Sequence, residues 1–188
     1  MKQTSQAVSV EKKENLAIIR FSRPKERNPL SIAVLLELNQ ILDEIRGESI
    51  IIFTGTDDVF ASGANLNEIA GVTGETAQEY ARRGQNLMRK ISEIPNQTIA
   101  FINGFCFGGG LDLALSCQRR IATPNAVFCH PGANLGIMTG WGGTQKLPRL
   151  IGEAKALEMF LTAKRVGAKE ALQIGLIDEI CENLAEGD

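Results

Sequence analysis

Apolar residues change their period several times along the chain, and each change predicts a new element. Ala7 to Lys12 and Leu16 to Phe21 are short β-prone runs on either side of the charged Lys13-Glu14-Asn15, which predicts an antiparallel hairpin. Beyond Pro24 the spacing becomes helical: Val34, Leu35, Leu38, Ile41, Leu42 and Ile45 recur on one face, with Ser31 placed to cap the start and Gly47 to stop it. Ser49 to Thr54 (SIIIFT) is then continuously apolar, as a parallel strand buried on both faces requires. Strand, helix and strand in this order predict a βαβ unit.

A loop rich in Gly, Asp and Thr leads to a long helix from about Glu75 to Ile94, with Tyr80, Leu87, Met88, Ile91 and Ile94 on one side and Pro95 ending it. Thr98 to Ile102 is a second buried-strand run. The cluster Asn103-Gly104-Phe105-Cys106-Phe107-Gly108-Gly109-Gly110 follows, and its third consecutive glycine is expected to open a helix through Leu111 to Cys117. Arg120 to Ala122 and Val127 to Cys129 read as short strands, Glu153 to Ala163 and Ala168 to Ile174 as helices, and Ile177 to Cys181 as a last strand. With no internal repeat, low-complexity linker or composition shift, residues 1–188 are expected to form one domain.

Composition removes several functions. A chain that is 44% hydrophobic and 22% charged is too apolar for disorder. Twenty basic against twenty-two acidic side chains, without a basic block, argue against a nucleic-acid partner. His130 is the only histidine, so no multi-histidine metal site can be built and any Ser-His-Asp triad must use it. Cys106, Cys117, Cys129 and Cys181 form no CxxC pair and read as buried thiols in a reducing compartment. No apolar run is long enough for a signal peptide or a membrane span, so a cytoplasmic protein without a membrane partner is expected.

The strongest local signal is strand, glycine cluster, helix. Glycine permits a sharp turn and leaves backbone N–H groups uncovered, free to bind an anion, although close helix–strand packing needs the same residues. The G-x-x-x-x-G-K-[ST] phosphate loop fails because Leu111 and Asp112 stand where Lys and Ser/Thr should be. G-x-G-x-x-G fails because Gly104 is followed by three non-glycines. Asp112 lies three residues beyond Gly109, which puts a carboxylate and an amide on one helix face. Together they could hold a substrate oxyanion and move the proton beside it, whereas alone Asp112 would simply answer the helix dipole. A second glycine turn, Phe60-Ala61-Ser62-Gly63-Ala64-Asn65-Leu66, offers the second amide that such a site needs.

At this point several motifs act together. FASGANLNEI, INGFCFGGGLDLALSC, GWGGTQKLPRLIG and AKEALQIGLIDEI occur in order after the FSRPKERNPLS opening, and the chain resembles the enoyl-CoA hydratase/isomerase (crotonase) family over nearly its whole length. The resemblance implies an α/β crotonase-like (ClpP/crotonase) spiral of ββα units, here without the C-terminal helices that complete the acyl pocket and build trimers. A homotrimer or hexamer is the family's expectation. The implied ligand is an acyl-CoA thioester, with coenzyme A entering as part of the substrate and no permanently bound cofactor. By motif position Ala64 and Gly109 are the oxyanion amides. Coenzyme A contacts fall on Arg23, Lys25 and Arg27 of the Arg23 to Leu30 loop, on Asn65 and Leu66 beside Ala64, and on Gly108. For Lys25 and Arg27 a solvated basic loop is the commoner role of such residues, and Asn65 stands where relatives often carry aspartate.

Two departures alter the expected chemistry. The family's hydratases use two glutamates; Asp112 occupies the first position, one methylene shorter, and Gly132 of FCHPGANLGI occupies the second. Losing one acid/base group should cost about 10²- to 10⁴-fold, so efficient hydration is not expected. Isomerisation can run on one carboxylate and decarboxylation chiefly on the oxyanion site. Thioester hydrolysis or silent acyl-CoA binding are the remaining alternatives. His130 is expected to be a hydrogen-bonded structural side chain, its alternative being to line the acyl pocket as a substitute acid or base. Trp141 is expected either to wall that pocket or to lie in the core.

Overall fold

Apolar residues that alternate between the two faces of one sheet organise the molecule. The computed structural model describes residues 7–45 and 49–184, so the helix stop expected at Gly47 lies outside them. Strands β1 (Val8–Lys13) and β2 (Leu16–Phe21) form the expected antiparallel hairpin. A one-turn 3-10 segment, Pro24–Glu26, leads to the short β3 (Pro29–Leu30). In α1 (Ile32–Glu44) the Ser31 side chain accepts from the Val34 N–H and Val34, Leu35, Leu38 and Leu42 are buried, so cap and period agree. Strand β4 (Ile50–Thr54) then pairs parallel with β2, completing the βαβ unit.

From there the chain repeats one plan: a strand of the main sheet, a strand of a second sheet, then helix. The first round is β4, β5 (Val59–Ala61) and the two-residue β6 (Gly63–Ala64), followed by α2 (Leu66–Ala70) and α3 (Ala77–Glu93). The second is β7 (Gln97–Ile102), β8 (Phe105–Phe107) and α4 (Gly109–Ala114). The third is β9 (Arg119–Ala122), β10 (Val127–Cys129), a 3-10 segment at Pro131–Leu135, α5 (Gly143–Ile151) and α6 (Glu153–Thr162). Strand β11 (Val166–Gly167), α7 (Ala168–Gln173) and β12 (Glu179–Ile180) close it. The main sheet runs β1-β2-β4-β7-β9-β12, the second β11-β10-β8-β5, and β3 pairs with β6. This is the crotonase-like spiral of ββα units.

Register explains the continuous apolar runs. Ile18 pairs with Ile52, Ile52 with Ile99 and Phe101 with Ile121, so these residues form a row on one face of the main sheet. Their neighbours Ile19, Phe53, Ala100 and Ile102 point into the principal core with Leu38, Leu87, Leu111 and Phe128. All four cysteines are buried free thiols, and no helix among the described residues is long and apolar enough to cross a membrane.

Three expectations need correction. Helix α4 begins at Gly109 and not at the third glycine, because the Asp112 N–H already reaches the Gly108 carbonyl at 3.0 Å. Helix α5 is unforeseen: glycines at its start and Pro148 inside it mask the i, i+4 pair Leu147 and Ile151, both buried. The last strand is shorter than Ile177 to Cys181, since only Glu179 and Ile180 pair with β9.

One buried side chain fixes the loop before β3. Asn28, with a left-handed φ of 47°, accepts from the Arg23 N–H at 2.7 Å and donates to the Val59 and Phe60 carbonyls at 2.9 and 3.1 Å. An Asn28→Ala change removes the acceptor of the Arg23 N–H and a donor to the Val59 and Phe60 carbonyls, and places a residue that disfavours the left-handed region at φ 47°. It is expected to lower unfolding free energy by about 2–4 kcal/mol in urea titrations; a loss under about 0.5 kcal/mol would show that the loop does not depend on it.

Candidate active site

Two glycine turns from different rounds of the spiral meet at one point. Gly63 has φ +90°, and a β-carbon there would stand 2.5 Å from the Gly109 nitrogen and 2.8 Å from the Phe107 carbonyl oxygen. Gly108 has φ +51° and donates its N–H to the Cys129 carbonyl at 2.9 Å, which turns the chain from β8 into α4. The Ala64 nitrogen lies 3.3 Å from where a β-carbon on Gly109 would be. Gly109 is the first residue of α4, and a first-turn N–H has no intrahelical carbonyl to bind. The two amides named from the sequence are thus neighbours on one wall, with Asp112 one turn along the same helix.

That wall belongs to a cavity of about 830 Å³ reaching from the N-terminal ends of α2 and α4 to the Leu135–Trp141 segment and α6. Ala64, Asn65, Leu66, Gly108, Gly109, Asp112, His130, Gly132 and Trp141 all line it, as does Arg27. Arg23 and Lys25 do not. The Arg23 backbone is held by Asn28 and its guanidinium lies 3.9 Å from the Glu26 carboxylate, while Lys25 stands exposed on the outside of the same loop. The Asn65 side chain caps α2, accepting from the Asn67 N–H at 2.9 Å.

The polar side chains in this cavity are deeply buried. Asp112 is 1% exposed; its Oδ2 accepts from the Thr139 hydroxyl, and its Oδ1 has no hydrogen-bond partner. Burial pushes the Asp112 carboxyl up to about 6, against the lowering pull of Thr139, the Trp141 and Gly143 backbone and the Lys146 charge. His130, 3% exposed, packs its ring on Phe160 with centroids 5.0 Å apart. Burial pushes it down to about 4, so the imidazole is neutral at neutral pH. The expected structural hydrogen bond of His130 does not exist: neither ring nitrogen has a partner, and Nε2 stands 3.8 Å from Asp112 Oδ1. Its burial comes from apolar packing and from facing the cavity. Tyr80 lines the same cavity, and its hydroxyl is buried without a partner.

Trp141 serves both roles considered for it, since it is 4% exposed and also walls the cavity. Its indole fills a slot with no side chain on either side: a β-carbon on Gly84 of α3 would overlap the ring, and one on Gly109 would lie 2.5 Å from it. Gly132 leaves no equivalent space, because a β-carbon there would run into the Ile137 carbonyl, whose own N–H donates back to Gly132 O at 3.0 Å.

Thr139, Tyr80, Phe160 and Lys146 were not legible as site residues. Tyr80 reads in sequence as part of a helix core face, and Phe160 as a helix apolar position. Lys146 donates to the Ser92 and Ser116 hydroxyls, and Ser116 donates to the Asp112 carbonyl at 2.7 Å, so a cation from α5 supports the end of α4. The two lysine contacts join residues 54 and 30 positions apart, beyond any local spacing signal. Among the described residues no group of three or more His, Cys, Asp or Glu side chains is arranged to hold a metal.

Comparison with known proteins shows the family of the chain. The family model described as enoyl-CoA hydratase/isomerase matches residues 11–186. The chain is 37% identical over 179 residues to a crotonyl-CoA hydratase of Syntrophomonas wolfei, covering 93% of this chain and 69% of that protein. An enoyl-CoA hydratase structure from Bacillus anthracis superposes with a TM-score of 0.88 at 36% identity, covering 94% of this chain and 70% of the other. One from Thermoplasma volcanium superposes with a TM-score of 0.93 at 29% identity, covering 99% and 76%.

Two measurements test the site's construction. Trp141 is the only tryptophan, so its emission reports the slot directly. Gly84→Ala should displace the indole, shifting emission to longer wavelength and costing about 1–3 kcal/mol of stability; an unchanged spectrum would show that the slot has slack. The second is pH linkage. Asp112 holds its proton more tightly folded than unfolded, so its contribution is fully present below about pH 3.8 and is lost as pH rises through about 6. His130 holds its proton less tightly when folded, so its contribution is present above about pH 6.5 and lost as pH falls through about 4. Relative to wild type, Asp112→Asn should gain stability as pH rises from about 4 to about 6, and His130→Gln as pH falls across roughly the same window. Urea titrations that stay parallel to wild type at every pH would remove this assignment.

Proposed function

Because the chain belongs to the enoyl-CoA hydratase/isomerase family, we propose that it acts on an acyl-CoA thioester by forming an enolate at Ala64 and Gly109 and moving a proton with Asp112. The observation that carries this reading is the convergence of two backbone amides and one buried carboxylate with an unpartnered oxygen on a single cavity wall. An enolate places negative charge on the thioester oxygen, and preorganised N–H donors in a buried site stabilise that charge without reorganising. Asp112 has the matching property: a carboxyl titrating near 6 is mostly ionised at neutral pH yet basic enough to take a carbon-bound proton made acidic by the enolate.

Double-bond isomerisation needs no more than this. With a 3-enoyl thioester, Asp112 takes a proton from the carbon beside the carbonyl. The electron pair moves onto the thioester oxygen between the two amides, and the same carboxyl returns the proton two carbons further out. The product is the conjugated 2-enoyl thioester, and no second carboxylate enters. Arg27, exposed and lining the cavity, is the cation this reading assigns to a coenzyme A phosphate.

Two assays test the reading. Conversion of a 3-enoyl-CoA to its conjugated isomer is followed by absorbance, and exchange of the α-hydrogen of a saturated acyl-CoA with deuterated water by mass spectrometry. Asp112→Asn should lower both by about 10²- to 10⁴-fold while calorimetry shows acyl-CoA binding retained. Full activity in that variant would remove Asp112 from the mechanism, and folded wild-type protein inert in both assays would remove the enolate reading.

A further inference from the structure

We infer that His130 and Asp112 together hold a water molecule for addition to a 2-enoyl thioester, so that this chain hydrates with an Asp–His pair; the inference rests on the enolate reading of the same site. Three observations carry it. His130 Nε2 and Asp112 Oδ1 stand 3.8 Å apart, too far for a direct hydrogen bond, yet one water oxygen reaches both at about 2.8 Å each. Beside the Trp141 and Gly143 backbone that draws on the Asp112 carboxyl, neither atom has a partner in hydrogen-bonding geometry, although both side chains are almost wholly buried, and buried polar atoms of this kind are ordinarily satisfied. Finally, Asp112 Oδ2 is already taken by Thr139, which leaves Oδ1 as the oxygen directed at the imidazole.

The position two residues beyond His130 does not supply the second group. Gly132 carries no side chain, and the Ile137 carbonyl occupies the space where one would begin. His130 approaches the same carboxylate from the end of β10, held by the Phe160 ring. A neutral imidazole can donate one hydrogen bond and accept another, whereas a second carboxylate so close to Asp112 would repel it.

The step balances with a single proton. In the tautomer carrying hydrogen on Nε2, His130 donates to the water oxygen and the water donates one of its hydrogens to Asp112 Oδ1. Asp112 takes that proton as the water oxygen bonds to the β-carbon, and the π pair of the double bond moves through the α-carbon onto the thioester oxygen. The resulting enolate collapses by taking the proton from Asp112 at the α-carbon. The product is a 3-hydroxyacyl thioester, and both side chains end in their starting states.

The test follows hydration of a short 2-enoyl-CoA by loss of enoyl-thioester absorbance, alongside α-hydrogen exchange on a saturated acyl-CoA. Wild type should do both. His130→Ala should lower hydration about 10²-fold and the ratio of hydration to exchange at least tenfold, and His130→Gln, which restores an amide N–H near Nε2, should recover part of the lost hydration. Wild type that exchanges but does not hydrate would overturn the water site and leave the enolate reading standing; failure of both reactions would overturn both. Equal losses of hydration and exchange in His130→Ala would reduce His130 to a support of the cavity, and a variant hydrating like wild type would remove it. Should His130→Ala not fold, the wild-type result and the His130→Gln ratio decide by themselves.

Discussion

The close contact between the turns at Gly63 and Gly109 is the constraint on which the site depends. A single β-carbon at Gly63 would stand 2.5 Å from the Gly109 nitrogen, and the Ala64 amide is one residue further on. Two backbone N–H groups from separate rounds of the spiral can therefore share a wall only because neither turn carries a side chain. The two sheets supply the rigidity: β5 and β8 pair in parallel and deliver the turns that follow them to the same end of the second sheet. The fold places backbone donors on rigid strand ends, where their geometry does not depend on side-chain rotamers.

Burial then sets the electrostatics of the groups around those amides. Asp112 and His130 sit in the same low-polarity cavity, and desolvation pushes each toward its neutral form, which means up for the acid and down for the base. At neutral pH the imidazole is therefore uncharged while Asp112, titrating near 6, is mostly ionised, so the pair carries one negative charge and no imidazolium. Trp141 completes the enclosure. Packed into a slot between Gly84 and Gly109, it excludes solvent from the turn while its loop carries Thr139 to the carboxylate.

The enolate chemistry proposed here draws on both features, and the water site adds to it the one unpartnered imidazole in the cavity. Its physical logic is substitution by proximity. Where Gly132 carries no side chain and the Ile137 carbonyl occupies the space beside it, a group two residues earlier in the same segment faces the same carboxylate. Catalytic function of this kind depends on which atoms face the reacting bond and much less on which sequence position provides them.

Much of this was legible in the chain itself. Periodicity located the hairpin, α1, β4, α3 and β7, because apolar spacing follows directly from which faces must be buried. The glycine turns and Asp112 were legible because glycine's freedom and the helical offset of three residues are local properties. Helix α5 was not, since its glycines and Pro148 speak for a loop and only packing of Leu147 and Ile151 overrides them. Nor could sequence decide the state of His130, read as hydrogen-bonded and found without a partner, or find Thr139 and Lys146 beside Asp112. Local residue patterns determined the elements and the two glycine turns, and the family resemblance singled out one amide in each; which buried polar atoms face one another, and which lack partners, was decided only by tertiary structure, because burial and distance depend on segments brought together from far apart in the chain.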